Sequence, residues 1–432
     1  MTPLHVLFVA WGFPPSAEIA GRRALRNAHG LHAAGFHVTV LSVEERFYPV
    51  IDPGLPRLHP FDVVRTQTLD PAAWGRSRFG QRIDSHAPVT STPTDPGGRR
   101  MKRWLVTAAR SFSAAVHPLF VPDPEIGWAI PAIRAARAIH ARQPVDVVFV
   151  TTPPWSSLLP AARIARETGA RLAIDYRDGW AVDREILYRR TPAQWLMDRV
   201  ERRIVPRASL LLFATEGIKQ FYEQYFPLVP RCEVLYNGID AYVPPSGPIP
   251  PEPLTWVHAG SLYQGRSLEG LVRAMARIAQ EVPMRLVLIG SEPTRELMLA
   301  ESLGVRDRLE WLGRLSREAT MQRLRVAHRL VAVISDSHPF YIPGKLFEYM
   351  STQRPILLLA AQQHPAAKLI ESIPSHRTIE ISDVRGIAEL AREDREGLAR
   401  EGLPDVDRSA TAPFEARRQT ENLVRWISEL GQ

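Results

Sequence analysis

The feature that most constrains this chain is a rhythm. Short, almost wholly apolar runs alternate with helix-length stretches in two series, with a proline-rich segment between them. The first series holds LHVLFVA near the N-terminus, HVTVLS, DVVRT at 62–66, VDVVFVT at 145–151, RLAIDY at 171–176 and SLLLFAT at 209–215. The second holds LTWVHAG at 254–260, RLVLIG at 285–290, LEWLG at 309–313, RLVAVIS at 329–335, RPILLLA at 354–360 and RTIEIS at 377–382. A run with no polar alternation suits a strand buried on both faces, as in a parallel sheet covered by helices. Two such series predict an α/β chain of two doubly wound, Rossmann-like domains. AYVPPSGPIPPEP at 241–253 reads as a linker. The expected division is 1–228, 229–410, and a C-terminal segment 411–432 whose TENLVRWISELG forms one amphipathic helix.

Residues 70–125 break the rhythm. GRSRFGQRIDSHAPVTSTPTDPGGRR is rich in Pro, Gly, Ser and Thr and reads as a long loop. MKRWLVTAARSFSAAVHPLF follows, with basic and apolar residues interleaved. Two readings stand side by side: an insertion touching an anionic membrane or an acceptor lipid, or a lid or solvated helix packed on its own domain.

Composition closes off other classes. Apolar residues make up 45% and charged residues 23%, which excludes a chain disordered throughout. The one cysteine, Cys232, excludes an internal disulfide framework and a Cys-cluster metal site. No apolar run reaches the roughly 18 residues of a membrane span. Pro14 and Pro15 follow the first apolar run, so that run reads as a strand rather than a signal peptide, and the cytoplasm is the expected compartment. The net charge of +8 favours anionic partners: nucleotides, phosphorylated substrates or an anionic membrane face. Only four basic residues are lysines, and an arginine bias of that kind partly reflects coding composition. With neither a zinc-finger spacing nor an aromatic-basic RNA motif, no nucleic-acid partner is expected.

Ligands of open parallel sheets bind beyond the carboxyl ends of the strands, so the cleft between two such domains is the expected site. Three strand-end features carry chemistry. In WGFPPSAEIAGRR, Gly21 stands near a helix start, where backbone N–H groups can meet an anion. In HAGSLYQGRSLEG, a strand ends at Gly260 and Arg266 follows, a guanidinium suited to a diphosphate. In IPGKLFEYM, Pro343 suits a first helical position, and N–H groups near Gly344, Lys345 and Leu346 would point at an anion. Lys345 and Glu348 share a helix face, as a phosphate cation and an acceptor for sugar hydroxyls or as a surface salt bridge. Neither a G-x-G-x-x-G fingerprint nor a P-loop is present.

In this order and spacing the motifs resemble the retaining glycosyltransferase family 4 of GT-B fold. The resemblance rests on FPP…G with GFHVTV, PDPEIGW at 122–128, DYRDGW at 175–180, YNGID at 236–240, HAGSLYQGR, LEWLG and IPGKLFEYM. It implies an enzyme that moves a sugar, of hexosyl type, from a nucleotide-diphosphate sugar to an acceptor hydroxyl with retention. The acceptor would be a glycan, a lipid-linked intermediate or a natural-product scaffold. Glu348 then matches the ribose-binding glutamate, and the backbone at Gly344 and Lys345 the diphosphate-holding helix start. Arg266 falls where a diphosphate-binding Lys is usual, and Gly21 matches the first-domain glycine. Gly313 and Leu315 fall where the base is held, with Gly260, Ser261, Gly290, Pro343 and Leu346 beside the donor. Arg177, Asp178, Arg266 and Lys345 are the residues expected to serve the reaction. The C-terminal helix is expected to pack back on the first domain. Neither a cofactor nor a metal is implied.

The chain departs from the family pattern at three places. Phe340 replaces the first glutamate of the pair, Ser261 the usual Arg of the glycine loop, and Arg177 the first-domain His. Asp178 is the nearest acidic residue for the acceptor side, or bonds its own loop. Asp336 is a candidate stand-in for the missing glutamate. The loss at 340 motivates one alternative, a GT-B nucleotide-sugar epimerase or coupling enzyme of natural-product assembly, and a catalytically silent binding subunit is a second.

Overall fold

The computed structural model describes residues 3–17, 19–70, 73–74, 82–83, 121–182, 192–243, 249, 252–262, 265–335, 339–400 and 406–432. The basic segment 101–120, the loop 84–98 and Asp336 lie outside these residues. Among the described residues no helix is long and apolar enough to cross a membrane.

The strands in chain order are β1 (His5–Val9), β2 (His37–Val43), β3 (Val50–Ile51), β4 (Asp62–Thr66), β5 (Arg82–Ile83), β6 (Val147–Thr152), β7 (Arg171–Tyr176), β8 (Leu210–Phe213) and β9 (Arg231–Val234). They continue with β10 (Leu254–Ala259), β11 (Met284–Ile289), β12 (Leu309–Trp311), β13 (Arg329–Val333), β14 (Ile356–Leu359) and β15 (Arg377–Ile379). One parallel sheet runs 4-2-1-6-7-8-9 and a second runs 12-11-10-13-14-15, while β3 and β5 form a separate pair. Each large sheet starts in its middle and reverses direction once. The reversal falls between β1 and β6 in the first sheet, and between β10 and β13 in the second.

The chain forms two compact units. Among the described residues the first takes the chain up to Leu235 and again from Thr420–Gln432, and the second is Tyr236–Gln419. Both differ from the expected boundaries for a physical reason. β9 pairs with β8 as the edge of the first sheet, so that unit runs past 228. At the other end, the carbonyl of Ile239 accepts from the Ala416 N–H, and the N–H of Ile239 donates to Phe414, which ties 411–419 to the second unit.

In the second unit both sheet faces are covered. Val257, Leu330, Ile356 and Leu358 face one core with Leu346, Phe347 and Met350. Their strand neighbours Trp256, Val331, Leu357 and Leu359 face the other with Leu271, Met275 and Ile387. Alternate residues thus enter opposite cores, which explains the continuous apolar runs. In the first unit Val6, Phe8, Val38, Val147 and Phe149 meet Ala24, Ala28 and Leu31 of the helix Ile19–Ala33. The last helix, Ala416–Leu430, adds Leu423, Trp426 and Ile427 to that core, an i, i+3, i+4 stripe.

Candidate functional site

The second sheet reverses between β10 and β13, and both strands end at one cavity of about 180 Å³. Such a switch point leaves strand ends uncovered by connections, which is where open α/β sheets take ligands. The floor is the end of β10 with Gly260 and Ser261, and Val333 and Ile334 continue it from β13. Arg266 closes it from the loop after β10. The volume is below the roughly 300 Å³ at which pockets begin to enclose a whole small ligand, so it suits a group the size of a diphosphate rather than a complete nucleotide sugar.

The floor depends on glycine. Gly290 holds φ +143°, and a Cβ there would stand 2.1 Å from the Gly260 carbonyl oxygen. Gly260 donates its N–H to Ile289 at 2.8 Å, and Gly290 donates to Gly313 at 2.8 Å. The expected glycines 260, 290 and 313 therefore form one tier of adjoining strand ends, and of the three only Gly260 lines the cavity.

The helix Gly344–Met350 supplies the wall through Lys345, Leu346 and Tyr349, with Pro343 just before it. Tyr349 fixes this helix to the strand end: its hydroxyl accepts from the Ala259 N–H at 2.7 Å and stands 3.2 Å from the Ala259 carbonyl oxygen. Lys345 donates Nζ to the same carbonyl at 3.2 Å. Lys345 is exposed as a residue, but partial desolvation of its ammonium lowers its pKa, Glu348 opposes that shift, and Arg266 adds to it. One expectation is corrected here. The Leu346 N–H is not free for an anion, because it donates to the Pro343 carbonyl at 2.9 Å.

His258 completes the floor. Its Nδ1 lies 2.9 Å from the Val331 carbonyl oxygen. A carbonyl only accepts, so Nδ1 carries the hydrogen and Nε2 presents a lone pair. Burial, then Lys345 and Arg266, hold its pKa down to about 4 against the help of the Val331 carbonyl. Sequence reasoning missed both His258 and Tyr349. The signal for Tyr349 was its i+4 spacing from Lys345. For His258 it was a polar residue on the core-facing period of an apolar strand.

Other expected residues lie elsewhere. Glu348 is outside the cavity lining, partly exposed, with its carboxylate 3.7 Å from Arg317 Nε. Leu315 is partly buried and packs against the core cluster of the second unit. Gly344 does not line the cavity either, and its nearest outside neighbour is Asn237. Three expected residues belong to the first unit. Gly21 lets its helix approach the Ser16 carbonyl, since a Cβ would stand 3.0 Å from that oxygen. Arg177 donates Nε to the Thr152 carbonyl at 2.9 Å and its terminal nitrogen to that of Pro153, so it secures the loop after β6. Asp178 follows it, half-buried. Among the described residues no group of three or more His, Cys, Asp or Glu could hold a metal ion.

Comparison with known proteins agrees with this architecture. Residues 20–238 match the family described as a glycosyl transferase 4-like domain, and residues 253–405 match glycosyl transferases group 1. No curated protein matches the chain. Among solved structures, sucrose-phosphate synthase from Thermosynechococcus elongatus is similar at TM-score 0.58 and 15% identity, covering 99% of this chain and 96% of that one. HepE of Anabaena in complex with UDP-glucose aligns at TM-score 0.57 and 14% identity, over 99% of this chain and all of that one (100%). A glycosyltransferase from Rickettsia africae aligns at TM-score 0.56 and 12% identity, over 100% and 98%. At these identities the likeness is one of fold, and the fold is GT-B.

Proposed function

This chain belongs to the glycosyl transferase 4-like family, and on that premise we propose that its second unit binds the diphosphate of a nucleotide sugar for transfer to an acceptor hydroxyl. The observation that carries the reading is the meeting of Arg266 and Lys345 at the β10–β13 switch point, on a floor that glycines keep open. The bond from the sugar C1 to the phosphate oxygen breaks, and a bond from C1 to the acceptor oxygen forms. The acceptor proton leaves with the diphosphate. Arg266 and Lys345 stabilise the charge that builds on the leaving group, and preorganised charges of that kind are a large part of catalysis. No resident metal is part of this reading. Lys345 rests on the Ala259 carbonyl, so its ammonium already stands at the strand end when the ligand arrives. We take transfer to proceed with retention, with a hexose as the donor sugar and the first unit receiving the acceptor.

The complex of HepE with UDP-glucose, a protein of the same fold, makes a UDP-hexose the first donor to test. The test is release of nucleoside diphosphate from UDP-, GDP-, dTDP- and ADP-glucose with glycan, lipid-linked and small aromatic acceptors, with NMR of the product anomer. Acceptor-dependent release with retained configuration is expected. Turnover without acceptor supports the epimerase alternative, for which Phe340 at the glutamate position is the motive. Binding without turnover on every acceptor supports the silent subunit.

A further inference from the structure

His258 is 6% exposed, and its Nε2 is a buried atom with no hydrogen-bond partner. A buried acceptor left unmet costs stability, so its retention calls for a reason. The surroundings supply one. A Cβ built on Gly260 would stand 3.1 Å from His258 Nε2 and 3.5 Å from Lys345 Nζ. Glycine at 260 therefore keeps any side chain off the imidazole edge and the ammonium, both of which belong to residues lining the cavity. Among the described residues the charged groups acting on His258 are Lys345, from the helix Gly344–Met350, and Arg266, from the loop after β10. Tyr349, from the same helix, is held at Ala259. Glu348 acts on Lys345 and opposes its shift.

This arrangement has a definite electrostatic logic. Lys345 and Arg266 oppose a third positive charge here, and the imidazole is neutral with its lone pair toward Gly260. A phosphate oxygen cannot rest against that lone pair, because both are acceptors. A bound diphosphate also reverses the sign of the local field, and an opposite charge at contact distance favours the charged form of a titratable group. We infer that His258 is a further ligand-contacting residue of the cavity, which takes up a proton when a diphosphate enters and donates Nε2–H to a phosphate oxygen. Nδ1 stays on the Val331 carbonyl throughout, so the ring need not turn. The proton comes from solvent and returns to it when the diphosphate leaves. This inference rests on the donor-site reading above and adds a third, conditional cation to Arg266 and Lys345.

The test uses the full chain and the four nucleotide glucoses UDP-, GDP-, dTDP- and ADP-glucose, whose diphosphate diesters do not titrate between pH 5 and 8. Calorimetry at pH 5.5 in buffers of different ionisation enthalpy counts protons taken up on binding. The expected count for the tightest ligand is roughly one, with affinity on the order of tenfold higher at pH 5.5 than at pH 7.5. His258→Gln, which cannot take the charge, should bind with no uptake and a flat pH profile. His258→Phe repeats the test with the ring shape kept. Tight wild-type binding without proton uptake overturns the inference and leaves the donor site standing. Proton uptake that persists in a folded His258→Gln protein also overturns it. Failure of all four ligands to bind overturns the donor-site reading itself.

Discussion

Asp175 and His258 hold the same kind of position, each next to last in a strand of the inner part of its sheet, β7 in the first unit and β10 in the second. Both are buried. Asp175 is fully engaged: Arg23 donates to it at 2.7 and 3.1 Å, and Thr151 donates at 3.0 Å. Arg23 also donates to the Leu235 carbonyl at 2.7 Å, which draws the end of the first unit to its first helix. His258 has one ring nitrogen bonded and the other unmet. A closed polar network of the first kind specifies a fold. An incomplete one, on the lining of a cavity with two cations, is a candidate ligand contact. The difference teaches which buried polar group to read as architecture and which as a site.

Three predictions sharpen or break that contrast. The largest effect is on acid stability of the second unit. His258 is held down to about 4, and His376 to about 3 by burial, then by Arg329 and Arg377. Both folded values lie below the ordinary histidine value, so the neutral rings stabilise the fold above about pH 6.5. That contribution falls as pH drops through the window toward 4 and 3, by about 3 kcal/mol for each histidine at pH 4. Chemical unfolding of wild type against His258→Gln with His376→Gln measures it, and an acid loss unchanged in the double variant would break the contrast.

Next comes Arg23→Met, which leaves Asp175 buried without its partner. The first unit should lose about 3–5 kcal/mol, the cost of orphaning one member of a buried pair. Nucleotide binding by whatever remains folded should be unchanged, because the pair belongs to architecture. A loss below about 1 kcal/mol, typical of an exposed pair, would show that Asp175 is met in some other way.

The smallest effect concerns Glu348. Its ion pair with Arg317 is loose and partly exposed, so Glu348→Ala should hardly change stability. If Glu348 accepts from the ribose hydroxyls, the same change weakens nucleotide binding by roughly 1.5–3 kcal/mol. An equal dissociation constant in both proteins removes the ribose role.

Much of this fold was legible in the sequence, for a physical reason. Strands buried on both faces, such as Ile356–Leu359 and Val147–Thr152, cannot hide among polar residues. β9 was not legible as a strand, because RCEV is a half-exposed edge with charges at its first and third positions. The end of the first unit at Leu235 is hidden with it. At the site, Gly260, Ser261, Arg266, Pro343, Lys345 and Leu346 were singled out by motif and do meet in one cavity. The bonded state of the Leu346 N–H is not legible, because a single turn of helix decides whether such a group is free. His258 is not legible as a site because a histidine in an apolar strand reads as core, and only its geometry reveals a committed Nδ1 and an unpartnered Nε2.

The central claim is that the β10–β13 switch point holds the diphosphate of a nucleotide sugar. Thermal unfolding with UDP, GDP, dTDP, ADP, their glucose conjugates and the matching nucleosides tests it most directly, run on wild type and Arg266→Ala. A ligand at about 100 times its dissociation constant adds roughly 2.7 kcal/mol. The account predicts a shift with at least one diphosphate series, little with its nucleoside, and a reduced diphosphate shift in Arg266→Ala. No shift with any diphosphate, or one equally large with the nucleoside and in Arg266→Ala, would contradict it.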